Sequence, residues 1–265
     1  MLRNILFVGG GKMGEAMITG LLNSKLYEAH EVIVCEKNKL RSVFLEKKFG
    51  VKESPLSRVK DCKITVLAVK PQDLGDVLKN FPQDLNSENL CLSIVAGATI
   101  DKIRELTKFS SIVRSMPNIP AILGKSTTAW TCTSETSKHQ KDTVSGILSA
   151  IGTEHFVEKE DYIDMATALS GSGPAYFYLI VEAMIDAGVA MGIPRSLASK
   201  LVIETMSGSS HLISKLGDPV SLRNDITSPG GTTAAALYVA EKGGLRTVLT
   251  DAVFAAYNRS KNLNK

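Results

Sequence analysis

Several features that mark specialised chains are missing from these 265 residues. No apolar run approaches the roughly 20 residues that a membrane-spanning helix needs, so no membrane association is expected. Met1-Leu2-Arg3-Asn4 leads straight into an apolar strand, so no signal peptide is expected before the fold. Cysteine is scarce: Cys35, Cys62, Cys91 and Cys132 form no C-x-x-C pair and read as free thiols in a reducing cytoplasm. His30, His139, His155 and His211 are scattered without ligand spacing, so no metal site is expected. The net charge is only +4, with no dense basic block. Lys37, Lys39 and Arg41 come nearest, and they read as a solvated helix start rather than a nucleic-acid site. There is no G-x-S-x-G elbow, no Walker lysine motif and no Cys/His pairing that suggests a nucleophile.

What is present begins at once. Ile5 to Val8 is an apolar strand, Gly9-Gly10-Gly11-Lys12-Met13-Gly14 a tight turn, and Glu15 onward a helix. The glycines follow G-x-G-x-x-G. Gly9 suits a sharp turn, Gly11 lets backbone approach a pyrophosphate, and Gly14 lets the helix pack closely on the strand. The helix N-terminus adds free N–H groups and a positive dipole end.

Strands and helices then alternate. After a helix over about 12–24, strands are expected at 31–36, near Val51, at 63–69, 90–95 and near 111–115, with a helix near 39–49. The nearly continuous apolar runs suit parallel strands covered on both faces. A strand near 126–131, a helix over about 135–150 and a strand at 154–158 close the sheet. Met116-Pro117-Asn118-Ile119-Pro120 reads as a loop, because two prolines oppose regular structure. From about residue 160 strand signals vanish, and helices are expected at 174–191, 194–215, 230–243 and 245–262. The fold class is therefore α/β: a doubly wound sheet over residues 1–160, followed by an all-α domain over 161–265. The helix of 174–191 is apolar on nearly every face, more than a small domain can bury alone, so this domain is expected to pack against a second copy.

Three places could carry chemistry. The first is Glu36, at the end of the second strand, where an acid can bond ribose hydroxyls. Glu36 favours NAD(H), while Lys37, Lys39 and Arg41 favour NADP(H), so the preference stays open. The second is the row of strand ends, where Ala68-Val69-Lys70-Pro71 supplies one cation. The third is a pair of later glycine turns. Ser170-Gly171-Ser172-Gly173-Pro174 reads as a close-packing turn before a buried helix. Thr227-Ser228-Pro229-Gly230-Gly231-Thr232-Thr233 is richer in polar groups than one helix cap needs, and reads as a carboxylate site. A dinucleotide with a carboxylate site points to hydride transfer.

Those stretches, together with Met116-Pro117-Asn118-x-Pro120 and the run from Leu169 to Tyr176, strongly resemble the pyrroline-5-carboxylate reductase family over essentially the whole chain. Ala240, where the family more often has a larger apolar residue, and Glu36, in place of a small polar one, depart from the pattern. The resemblance implies a Rossmann domain, an all-helical dimerisation domain, homodimers that can build a decamer, and active sites joining one subunit's nucleotide domain to the partner's helical domain. It implies reduction of 1-pyrroline-5-carboxylate to L-proline by NADPH or NADH. It places substrate contacts at Glu160, Ser228, Gly231, Thr232 and Thr233, with the Thr233 hydroxyl on the ring nitrogen. Cofactor contacts fall on Gly9, Gly11, Lys12, Met13, Ala68, Val69, Lys70, Pro71, Ala96 and Gly97. A β-hydroxyacid dehydrogenase shares the architecture but asks for a lysine on the long helix, and Pro174 to Met191 has none. A non-catalytic dinucleotide sensor would have little use for the polar turn at 227–233.

Overall fold

The computed structural model describes residues 4–83, 85, 86 and 88–263. In chain order the elements are β1 (Ile5–Val8), α1 (Lys12–Asn23), β2 (Val32–Cys35), α2 (Lys39–Phe49), β3 (Lys52–Glu53), β4 (Ile64–Leu67), α3 (Pro71–Lys79), β5 (Leu90–Ser93), α4 (Ile100–Leu106), β6 (Ser111–Met116), β7 (Ser126–Cys132), α5 (Lys138–Ser149) and β8 (Gly152–Phe156). Helices follow: α6 (Asp161–Ala166), a π-helical turn (Thr167–Gly171), α7 (Gly173–Ala190), α8 (Arg195–Leu216), α9 (Pro219–Asp225), α10 (Thr232–Lys242) and α11 (Leu245–Asn262).

The eight strands form one sheet in the order β3-β2-β1-β4-β5-β6-β7-β8. All neighbours are parallel except β6 and β7, which run antiparallel. The chain reverses direction across the sheet at β1, between β2 and β4, and this crevice outside the strand ends is where such sheets take ligands. Both faces are covered. Ile5, Phe7, Val34 and Val66 pack with α1 residues Met17 and Leu21 on one side, while Leu6, Val8, Leu67 and Cys91 pack with Leu74 and Leu78 of α3 on the other. Coverage on both faces is why these strands read as apolar runs rather than alternations.

One compact unit runs to Ser172 and takes in the chain again from Ala255; the other is Gly173–Phe254. In the second unit α7 lies against α8, and large apolar side chains stay exposed, among them Phe177, Leu179, Met191, Tyr238 and Val239.

One local expectation is corrected. Ser170-Gly171-Ser172-Gly173 is no turn but part of a helical run. The Ser172 N–H donates to the Thr167 carbonyl at 2.8 Å, the five-residue spacing of a π turn. The Thr167 hydroxyl bonds back to the Ile163 carbonyl at 2.7 Å and the Ser170 hydroxyl to the Ala166 carbonyl at 3.0 Å. These hydroxyls bond within the helix instead of capping a new one. The Asn118 side-chain amide donates to the Ser170 carbonyl at 3.0 Å, tying the widened turn to the loop after β6. That loop is itself partly ordered as a 3-10 turn, Ile119–Leu123. Helices α4, α6 and α9 are also additions to the sequence reading. All are short, at 7, 6 and 7 residues, too brief to show a clear apolar period.

Candidate active site

The glycine turn between β1 and α1 is built as its spacing requires. Gly9 has φ +99°, in the region L side chains rarely adopt. A Cβ on Gly14 would stand 2.8 Å from the Gly9 carbonyl oxygen, so the close approach of helix to turn depends on its absence. A Cβ on Gly11 would meet nothing within 4 Å. Gly11 precedes α1 without a side-chain cap. By contrast Asn38, Thr99, Ser137 and Asp218 each place a side-chain oxygen on the first N–H groups of α2, α4, α5 and α9. An open cradle at an uncapped helix start fits a pyrophosphate.

A cleft of about 770 Å³ opens beside this turn. Of the residues expected at a cofactor, Gly9, Gly11, Lys12, Glu36, Ala68, Val69 and Lys70 line it. Met13, Pro71, Ala96 and Gly97 do not line it; Met13 packs against the apolar core, and Gly97 forms the turn after β5 with φ +74°. The cleft also uses residues that sequence reasoning passed over, including Leu56, Asp73, Asp76 and Asn80. Asp73, in the first turn after Pro71, was the one signal available for them.

Polar pairs organise the rim. The Glu36 carboxylate accepts from the Gly10 N–H at 2.7 Å and the Asn38 N–H at 2.9 Å. The Asn38 side chain in turn accepts from the N–H groups of Leu40 and Arg41. The Arg41 Nε–H donates to the Gly10 carbonyl at 2.6 Å, and its guanidinium pairs with Glu15. Lys48 pairs with the other Glu15 oxygen at 2.8 Å. Partial burial raises the Glu15 pKa, but the bonds from Lys48 and Arg41 outweigh it and hold the carboxyl below its ordinary value. Lys37 reaches Asp73 at 2.8 Å, and that bond keeps its ammonium above the usual lysine range. Burial, with Glu36 and Glu53 nearby, pushes the Cys35 thiol up, so this cleft residue stays a thiol and is unsuited to nucleophilic attack.

Glu160 sits elsewhere in the sheet unit. Its Oε1 accepts from the Ile100 N–H at the start of α4, at 2.9 Å, and from Arg114 Nη1 at 3.0 Å. Arg114, in the middle of β6, is fully buried. Its Nη2 donates to Asp164 at 2.8 Å, and the Ser260 hydroxyl donates to the same Asp164 oxygen at 2.7 Å. Arg114 Nε and the Thr65 hydroxyl are the buried side-chain polar atoms without a partner among the described residues. An arginine inside the apolar run Ile112-Val113-Arg114 was the sequence signal for this network.

In the helical unit the turn of residues 227–231 leads into α10. The Gly231 N–H donates to the Ser228 carbonyl at 3.0 Å and closes the turn. Gly231 then precedes α10 with no side-chain cap, so Thr232 and Thr233 open a helix whose first N–H groups face no capping oxygen. Among the described residues no cluster of His, Cys, Asp and Glu is placed to hold a metal, and no helix is long and apolar enough to cross a membrane.

Comparison with known proteins bears on both units. Residues 160–263 match a family described as pyrroline-5-carboxylate reductase dimerisation. Residues 4–97 match one described as NADP oxidoreductase, coenzyme F420-dependent. The chain is 38% identical over 261 residues to pyrroline-5-carboxylate reductase of Synechocystis sp., covering 97% of each. It is 34% identical to that of Glycine max, over 97% of this chain and 95% of the other. The crystal structure of Plasmodium falciparum pyrroline carboxylate reductase with NADP bound aligns with a TM-score of 0.90 at 34% identity, over 99% of this chain and 98% of that one.

Proposed function

Because the chain belongs to the pyrroline-5-carboxylate reductase family, we propose that it reduces the cyclic imine 1-pyrroline-5-carboxylate to L-proline with NAD(P)H, the last step of proline biosynthesis. The observation that carries this reading is the end-to-end likeness to these reductases, which takes in both uncapped glycine turns. The β-hydroxyacid dehydrogenase reading loses its ground, since α7 holds no lysine.

The roles follow from the chemistry of the groups. The turn of Gly9, Gly11, Lys12 and Met13 and the strand ends Ala68-Val69-Lys70-Pro71 and Ala96-Gly97 hold the dinucleotide. When bound, the reduced nicotinamide supplies hydride to the imine carbon. Gly231 spends its N–H inside the turn, so the substrate carboxylate falls to the N–H groups of Thr232 and Thr233. Ser228 completes that pocket, and the Thr233 hydroxyl orients the ring nitrogen. Glu160 stays assigned to the substrate side, braced by Arg114. A protonated imine is already electrophilic, so the protein contributes chiefly position, a source of several kcal/mol.

The functional division of the chain lies near residue 160, where the match to the dimerisation family begins. Two copies pair through the helical unit, whose exposed Phe177, Leu179 and Tyr238 supply the apolar surface. Dimers assemble further into a decamer, which sedimentation of the purified chain measures. Four free cysteines suit a reducing cytoplasm.

The test is the loss of NAD(P)H absorbance when pyrroline-5-carboxylate is added to the purified chain. Thr233→Ala is expected to lower kcat/KM about 100-fold by misplacing the imine. An unchanged kcat/KM removes Thr233 from the mechanism, and no turnover with either cofactor removes the reductase reading.

A further inference from the structure

The charges around Glu36 bear on which nucleotide this cleft prefers, a question the sequence leaves balanced. Glu36 lines the cleft at the end of β2, the place where an adenosine ribose meets such a sheet. Its carboxylate is pinned by two backbone donors, Gly10 N–H at 2.7 Å and Asn38 N–H at 2.9 Å. A carboxylate accepts about four hydrogen bonds, so this one keeps capacity for two more from neighbouring ribose hydroxyls.

The three cations that argue for a 2′-phosphate are each engaged. Lys37 is held by Asp73 at 2.8 Å. Lys39 is held by Glu53 at 2.8 Å. Arg41 is bonded to the Gly10 carbonyl at 2.6 Å, paired with Glu15, and its guanidinium carbon lies 4.9 Å from the centre of the Phe44 ring. Asp73 and Asp76 add two more carboxylates to the same cleft. The remaining cleft cations, Lys12 and Lys70, follow β1 and β4 rather than β2.

We propose that this chain binds NADH in preference to NADPH, with Glu36 as the residue that sets the preference and the Lys37–Asp73 pair as its support. A 2′-phosphate would bring up to two negative charges against Glu36. To gain a cation it must draw Lys37 from Asp73, Lys39 from Glu53, or Arg41 from Glu15 and the Gly10 carbonyl. The hydroxyls of NADH need neither, since they donate to a carboxylate already fixed in place. The preference is a ratio of affinities and leaves NADPH usable at higher concentration. It rests on the reductase reading only for the identity of the ligand.

The experiment is a binding titration of the purified full-length chain with NADH and with NADPH, no imine present, followed by nicotinamide fluorescence and by calorimetry. Wild type is expected to bind NADH about tenfold or more tightly than NADPH. Glu36→Gln removes the charge and is expected to bring the two affinities together. Asp73→Asn leaves the glycine turn untouched, frees Lys37, and is expected to narrow the ratio about threefold. Equal affinities, or tighter NADPH, in wild type overturn the proposal. So does a ratio that neither variant changes. Binding of neither nucleotide overturns the reductase reading, and the preference with it, whereas NADPH binding at least as tight as NADH overturns the preference alone.

Discussion

In the sheet unit Ile5, Leu6, Phe7, Leu90 and Ile112 have no exposed surface, whereas in the helical unit Phe177, Tyr178, Leu179, Tyr238 and Val239 each expose more than half of theirs. The first region can close its own core, because helices lie on both faces of a parallel sheet. The second leaves large apolar side chains of α7 and α10 exposed, and exposed apolar surface of that kind suits an association site. The two regions also differ in their polar interior. The sheet unit buries a charged network, Arg114 with Asp164, Glu160 and Ser260, while the buried positions of α7 and α8 are Gly173, Ile185, Gly188 and Ala198.

Five substitutions break or sharpen this contrast. Arg114→Ala strikes the self-contained region hardest. It leaves Asp164 buried without its cation, and a loss of about 3–5 kcal/mol is expected in denaturant unfolding. A loss under 1 kcal/mol would show that the network is relaxed or wet.

Leu179→Arg addresses the other region. It should leave the circular dichroism spectrum intact while weakening self-association roughly 100-fold, read by sedimentation velocity. An unchanged sedimentation coefficient would mean that this face of α7 is not the contact.

A glycine pair separates fold from ligand within the sheet unit. Gly14→Ala forces a Cβ against the Gly9 carbonyl and is expected to cost about 1–3 kcal/mol in thermal stability. Gly11→Ala meets open space, so the melting temperature should hold while dinucleotide affinity drops about tenfold. If both variants lose stability alike, the cradle at Gly11 is structural.

The smallest effect belongs to Glu15. Its carboxyl is held below its ordinary value in the fold, so its contribution is complete above the unfolded pKa near 4.3 and is lost as pH falls through the lowered folded value. Glu15→Gln should lie within about 1 kcal/mol of wild type at pH 7. The difference should disappear as pH falls through that lowered value, as followed by thermal melts; a constant difference would mean that the Lys48 and Arg41 contacts do not depend on charge.

Much of this arrangement was legible before any coordinates. Strands from β1 to β8 were readable within a few residues, most plainly β1, β2, β4 and β5, which are apolar runs, and helices where punctuation marks them, as Asn38 does before α2 and Pro71 at the start of α3. The opening glycines spelled out their turn. The helical identity of Ser170 to Gly173 was not legible, since serine and glycine signal a turn locally. The segment is held from outside by the Asn118 amide, more than fifty residues earlier, which donates to the Ser170 carbonyl.

The residues of the candidate site divide along the same line. Gly9, Gly11, Glu36 and the strand end at Ala68 could be named from spacing, because a phosphate cradle is a local backbone geometry. The partners of Lys37, Lys39 and Arg41 could not, because Asp73, Glu53 and Glu15 reach them through sheet order and helix placement. Alone, the sequence determined the alternation of elements, the glycine turns and the change of character near residue 160, since apolar periodicity and glycine conformation act over a few residues. The tertiary structure decided which carboxylate neutralises which cation, where Arg114 finds its acids, and which apolar surfaces stay uncovered, since those depend on distances between residues far apart along the chain.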